Sequence, residues 1–222
     1  VLGSHFSMGG VRVNGKTSST LPGLYAAGEI MGCVHGAVRL GSYSLAQVIM
    51  FGFEAGAQAA RYALTQEMAL PPARATVNRE REQVFQFLEL KAQPLSVARL
   101  KKHLQKIMAQ YAFLERDKAG LSEALRQIGA IKEDIPRIAV PPFRRFNLEW
   151  LKALEFPFTV EAAEIVVRSA LVREESRGFH YRKDFPERDD TNWLCHTVAK
   201  INQGQLVMGT APVKLTRLRP EV

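Results

Sequence analysis

The sequence predicts an α+β chain: the end of an α/β domain, then a helical bundle, then a small C-terminal domain with a β-hairpin. Three observations predict it. Residues 1–70 run strand, glycine loop and long helix in that order. Residues 71–173 place apolar side chains at helical spacing, and residues 174–222 turn charged and loop-like before short strand patterns near the end.

Each element has its own signal. The run from His5 to Val13 reads as a strand entering a glycine bend, and Asn14-Gly15 is a hairpin turn signal. Leu24 to Ala27 is a short buried strand ended by Gly28. Residues Ser44 to Gln66 form a long helix whose Ala46, Gly52, Ala55, Gly56, Ala59 and Ala60 allow close packing against a neighbour. Strand, glycine loop and helix in that order suggest a nucleotide-binding α/β domain seen from its last strand. Pro71-Pro72 marks a boundary. From Asn78 to about Ile135 the pattern is helical, with Val97, Leu100, Leu104, Ile107, Met108, Tyr111 and Leu114 spaced by threes and fours. That stripe is core packing rather than a cofactor box. Pro136, Pro141 and Pro142 end the bundle, and a further helix is expected from Thr159 to Arg173. Glu174 to Asp190 is dense in charge with no apolar period, so it reads as a loop, either ordered on its own salt bridges or bound by a partner. Gln205 to Met208 and Val213 to Arg217, joined through Gly209 and Pro212, suggest the terminal hairpin.

Composition removes several function classes. The chain has 222 residues, 46% of them hydrophobic and 23% charged, enough to bury a sizeable core. The longest apolar stretch, Ser44 to Ala63, is interrupted by Gln47, Glu54, Gln58 and Arg61, which argues against a membrane span. The net charge of +8 raises nucleic-acid binding. Yet the basic residues are dispersed, and the densest cluster, Arg99 to His103, lies on one helix face with no nucleic-acid motif beside it. A solvated face or an acidic partner is the expectation, and no nucleic acid. Cys33 and Cys195 lack metal-site spacing and read as reduced thiols. Residues Val1 to Gly15 carry no leader pattern. The chain does not begin with Met, and its first residues read as mid-domain strand, so it is expected to be cut from something longer.

Four segments carry a family resemblance: HFSMGG at 5–10, GLYAAGE at 23–29, HGAVRLGSYSL at 35–45 and ESRGFHYRKDFPERDDTNW at 175–193. In that order they resemble the second half of the flavoprotein subunit of the succinate dehydrogenase/fumarate reductase family, which also includes L-aspartate oxidase. The resemblance implies the end of an α/β FAD-binding domain over residues 1–70, a helical domain over 71–173 and a C-terminal tail domain over 174–222. It also implies FAD as cofactor and a reaction interconverting a saturated and an unsaturated dicarboxylate.

These residue types suit that chemistry. A four-carbon dicarboxylate must be held at both ends while hydride passes between its C–C bond and the flavin, so cationic side chains must fix its carboxylates. A guanidinium makes two parallel hydrogen bonds to a carboxylate, and Arg39 matches the family's substrate arginine. His5 matches a histidine that also binds substrate. Glu29 matches the Glu that accepts hydrogen bonds from the ribityl hydroxyls. Ser44 and Leu45 open the long helix, so their backbone N–H groups suit the flavin's pyrimidine edge. The family's proton-transferring arginine lies upstream of HFSMGG, so no catalytic acid or base is expected in this chain. The GxGxxG that would bind the FAD pyrophosphate is absent from it.

Departures matter too. Val38 and Tyr43 stand where the family usually has Asn, and Val38 removes a polar neighbour of Arg39. His35 is expected to be structural, shaping the loop, and His103 solvated. The partners implied are a dicarboxylate, the missing N-terminal FAD-domain portion or subunit, and an iron–sulphur or haem electron-transfer protein. The location implied is cytoplasmic, peripheral on the inner membrane face only through partner subunits. L-aspartate oxidase chemistry, or a non-catalytic assembly subunit on the same scaffold, are the alternatives.

Overall fold

Turns, more than strand pairing, organise the N-terminal part of the chain. The computed structural model describes residues 5–32, 34–67 and 71–215, and it divides into two compact units, Val1–Pro71 and Pro72–Val222. In the first unit, Asn14 Oδ1 accepts from the N–H groups of Lys16 and Ser18, and its carbonyl accepts from Thr17 N–H at 3.0 Å. The Asn14-Gly15 turn forms, but the strands around it do not. His5 to Val13 and Leu24 to Ala27 reduce to single bridges, Val11 with Met31 and Ser18 with Tyr25. Gly9 and Gly10, at φ 102° and 141°, turn the chain out of the extended region before a ladder can grow. Gly10 is required there, because a Cβ would sit 2.0 Å from the Ile30 carbonyl oxygen.

Helix α1 spans Tyr43–Leu64, close to its expected bounds. Among the described residues a Cβ added at Gly52 or Gly56 would meet no other element within 4 Å, and Ile49, Met50 and Phe53 are exposed.

The second unit is built on three helices with matching 3–4 stripes. After α2 (Arg74–Phe85), helix α3 (Val97–Tyr111) buries Val97, Leu100, Leu104 and Ile107. Helix α4 (Lys118–Asp134) buries Leu121, Ala124, Ile128 and Ile131. Helix α5 (Leu148–Val172) buries Ala153, Phe156, Val160, Ala163, Val167 and Ala170. Alternating spacings of three and four keep each stripe on one face, and the alanines let the backbones approach. Met108 and Tyr111 pack on this core, whereas Leu114 lies beyond the end of α3 and is exposed.

Helix α5 begins eleven residues before the expected Thr159, with Pro157 inside it. Proline removes one helical N–H, but buried Ala153 and Phe156 before it and Val160 after it hold both halves to the same core. Asn147 caps the start through its Oδ1, 3.0 Å from Trp150 N.

The tail contributes β2 (Tyr181–Arg182), parallel to β1 (Glu115–Arg116), and the short helix α6 (Asp190–Trp193). The hairpin exists but is placed differently from expectation. Its strands are β3 (Cys195–Asn202) and β4 (Gln205–Pro212), in register from Cys195 opposite Pro212 to Asn202 opposite Gln205. Gln203 and Gly204 both have positive φ, 49° and 77°, as a tight two-residue hairpin loop needs. Gly209 therefore pairs with Val198 inside β4 instead of turning the chain. The expected partner strand, 213–217, falls partly outside the described residues.

Candidate functional site

The predicted site residues gather around one end of α1 in the first unit. Ser42, just before the helix, is left-handed (φ 68°), and no side chain caps the helix start. The first N–H groups of α1 therefore have neither intrahelical acceptors nor a capping oxygen, and they form the positive end of the helix dipole. Ser44 and Leu45 lie in this turn; the Leu45 side chain is exposed.

Arg39 approaches the same turn from the preceding loop. Its Nη1 donates to Ser44 Oγ and to the Leu40 carbonyl, both at 3.3 Å. Its guanidinium carbon stands 4.7 Å above the centre of the Phe6 ring. Nε and Nη2 make no hydrogen bond among the described residues. Half the fork is tied down and half is free.

Glu29 sits in a single 3-10 turn, Gly28–Ile30, entered through Gly28 at φ 75°. Its Oε1 accepts from Ser7 N–H at 2.8 Å, while Oε2 has no partner among the described residues. The carboxylate thus pins the HFSMGG loop next to His5 and Phe6. His5 is exposed and makes no side-chain hydrogen bond among the described residues.

His35, expected to be structural, has a specific side-chain role. Its Nε2 lies 2.6 Å from Gln47 Oε1, and its ring stands at 81° to Phe6 with centroids 5.3 Å apart. Gln47 also donates through Nε2 to the Gly28 carbonyl at 3.1 Å. Arg39, Phe6, His35, Gln47, Gly28 and Glu29 form one connected cluster. The sequence reading did not single out Phe6, Ser7 or Gln47. The one signal in the sequence is the polar Gln47 interrupting an apolar helix, where it argues against a membrane span. Val38, beside Arg39, is exposed.

The charged tail loop is satisfied by its own chain. Glu175, fully buried, pairs with Arg173 and Arg177 and accepts from Asp189 N–H. Burial alone would raise its pKa, but the hydrogen bonds from Arg177 and Asp189 and the charge of Arg173 leave it below the ordinary carboxylate value. Arg182, 1% exposed, grips Asp184 with Nε and Nη2 and donates through Nη1 to the carbonyls of Ala170, Leu171 and Arg173. Cys195 is a free thiol; Cys33 lies outside the described residues. Among the described residues no cluster of His, Cys, Asp and Glu suits a metal ion, and no helix is long and apolar enough to cross a membrane.

Comparison with known proteins sets the class first. A family model described as an FAD binding domain matches residues 1–45, which marks a flavoprotein. A second, described as the fumarate reductase flavoprotein C-terminus, matches residues 101–222. The chain belongs to the family of fumarate reductase and succinate dehydrogenase flavoprotein subunits. It is 37% identical to the fumarate reductase flavoprotein subunit of Mycobacterium tuberculosis over 225 residues, 97% of this chain and 38% of that protein. Among solved structures, Mycobacterium smegmatis Sdh1 in complex with UQ1 matches with a TM-score of 0.89 at 33% identity, covering 97% of this chain and 36% of that one. The quinol fumarate reductase FrdA of E. coli matches at 0.88 and 30%, covering 98% and 38%. The chain thus spans well under half the length of the relatives it matches.

Proposed function

We propose that this chain supplies the substrate-clamping and flavin-edge half of an FAD-dependent oxidoreductase that interconverts a saturated and an unsaturated dicarboxylate. One observation carries the proposal. Arg39 is anchored by one nitrogen and an aromatic face beside the uncapped start of α1, with no hydrogen bond to its remaining donors among the described residues. A guanidinium held this way presents a rigid fork to a carboxylate, where an ammonium would present a mobile point charge.

The residues around it fit a flavin. The open N–H groups at Ser44 and Leu45 suit an electron-rich ring edge, and the free oxygen of Glu29 suits a sugar-like hydroxyl. When bound, FAD supplies the hydride acceptor or donor. Arg39 orients one substrate carboxylate and draws electron density toward it, which favours hydride transfer at the neighbouring carbons. His5, two residues before the Ser7 that Glu29 holds, is the side chain we assign to the other end of the substrate. The proton is moved by a group outside this chain. Electrons pass to an iron–sulphur or haem partner, and contact with the inner membrane face is made through partner subunits. The names of the relatives, fumarate reductase and succinate dehydrogenase, favour a dicarboxylate over an amino acid as substrate.

Arg39→Lys in the complete flavoprotein tests this reading. Lysine keeps the charge and loses the fork, so FAD content should be unchanged while kcat/KM falls about a hundredfold and malonate binding weakens in parallel. A variant that melts early yet binds malonate as the parent does would remove Arg39 as the clamp.

A further inference from the structure

We propose that Gln47 is a positioning residue for Arg39, acting through His35 and Phe6. This rests on the reading of Arg39 as the carboxylate clamp. Gln47 is 4% exposed and is the one fully buried residue of α1 among those described, on a helix that leaves Ile49, Met50 and Phe53 in solvent. A helix that buries an amide and exposes its apolar residues holds the amide for its hydrogen bonds.

Those bonds determine each atom's role. The group facing the Gly28 carbonyl at 3.1 Å must be the amide NH2, because two oxygens cannot share that contact. The amide oxygen therefore faces His35 Nε2 at 2.6 Å. An amide oxygen has no proton to give, so the hydrogen between them belongs to the imidazole, and His35 is fixed with N–H at Nε2. Rotation of the imidazole is thereby fixed. Its ring packs nearly perpendicular to Phe6, and Phe6 seats the Arg39 guanidinium on its face. A cation–π contact holds only over the face of the ring, so the tilt of Phe6 sets where the guanidinium can rest. Gln47 also holds the carbonyl of Gly28, the residue before Glu29. One side chain thus references both the proposed substrate arginine and the proposed flavin carboxylate.

The test uses Gln47→Met, Gln47→Glu and Arg39→Lys in the complete flavoprotein, with malonate affinity, melting temperature and flavin content measured on each. Glutamate keeps an acceptor for His35 but sets a carboxylate against the Gly28 carbonyl, so it should melt lower than Gln47→Met while binding malonate more tightly than Gln47→Met. Methionine keeps the bulk and loses both bonds, and should weaken malonate about tenfold. In the Arg39→Lys background the effect of Gln47→Met on malonate should vanish, since residues acting through one another are not additive. His35→Gln, which still reaches Gln47 but offers no ring to Phe6, should weaken malonate like Gln47→Met and serves if that variant does not fold. Malonate affinities that simply follow the melting temperatures, or an undiminished effect in the Arg39→Lys background, would overturn the proposal. If Arg39→Lys weakens malonate and Gln47→Met does not, only the positioning role fails. If Arg39→Lys binds malonate like the parent, the clamp fails and the positioning role with it.

Discussion

Glu29 holds Ser7 with one oxygen and is proposed to hold the flavin with the other, and substitutions separate the two. Oε1 accepts from Ser7 N–H at 2.8 Å and pins the loop that carries His5 and Phe6; Oε2 has no partner among the described residues. Glu29→Gln keeps an oxygen for Ser7 and loses the charge, so malonate affinity should hold while flavin is lost more readily on dilution. Glu29→Ala loses both, and flavin retention should fall about tenfold or more, with malonate weakened as the loop is released. Absorbance of retained flavin after gel filtration, read beside malonate titrations, checks both outcomes. If Glu29→Gln weakened malonate while keeping its flavin, the two oxygens would have the opposite assignment. The sequence picks out Arg39 by its forked charge, Glu29 by its match to the family and Ser44 by its place at a helix start, each as a single residue. The links between them are not legible there. Ser7 meets Glu29 through a backbone N–H, which every residue type except proline carries, so no letter in the sequence announces it. Phe6 and Gln47 matter through contacts that only folding creates.

At the scale of elements, legibility followed periodicity. The α3 stripe could be read because Val97, Leu100, Leu104 and Ile107 repeat on one face, and they are the residues buried. Helix α5 starts eleven residues before the expected Thr159, because packing of Ala153, Phe156 and Val160 carries it through Pro157. The hairpin was misplaced because Gly209 and Pro212 look like punctuation, whereas the turn sits at Gln203-Gly204. The start of α5 depends on Asn147, which is nearly buried. Its Oδ1 caps Trp150 N–H, and its Nδ2 donates to the carbonyls of Pro141 and Phe143 at 2.8 Å each. Asn147→Ala removes the cap and leaves two carbonyls without their donor, a loss of about 2–3 kcal/mol. Asn147→Asp keeps the cap but faces the same carbonyls with an acceptor, so it should recover less than half of that. Urea denaturation of the three proteins measures it, and an alanine variant within about 0.5 kcal/mol of the parent would be at odds with the cap.

The second unit as a whole is closed by its charged tail, and that closure sets how it responds to acid. Arg182 caps the C-terminal carbonyls of α5, Asp184 Oδ2 accepts from Lys118 N–H at the start of α4, and Arg116 donates to the Ala112 carbonyl after α3 and to the Phe179 carbonyl in the tail loop. Three helix ends therefore share one cluster of charges. The tail could be read as a loop from its lack of apolar period, but whether its charges met each other or a partner could not, since pairing depends on distances in the folded chain. His180 lies inside this cluster, with Nε2 toward the Arg173 carbonyl and Nδ1 3.4 Å from Arg116 Nη1. Burial above all pushes it from the ordinary 6.5 down to about 4; the hydrogen bond to the Arg173 carbonyl opposes this, and the charges of Arg116, Arg173 and Arg182 add to the lowering. Asp184 is held at about 2, mainly by its hydrogen bond from Arg182. The signs agree in direction and differ in window. Between pH 6.5 and about 4 the unfolded imidazole binds a proton that the folded one refuses, so stability falls as pH drops through that range. The Asp184 contribution is intact above its ordinary 3.8 and is lost as pH falls toward about 2. Replacing His180 by glutamine leaves a donor for the Arg173 carbonyl and an acceptor for Arg116 without a group that titrates here. His180→Gln should therefore flatten the fall in melting temperature between about pH 6.5 and about pH 4 and leave the steeper loss below it unchanged. Melting temperatures of both proteins, taken across that range at fixed ionic strength, decide it. A variant that keeps the parent's full decline above pH 4 would show that the response belongs to other groups than His180.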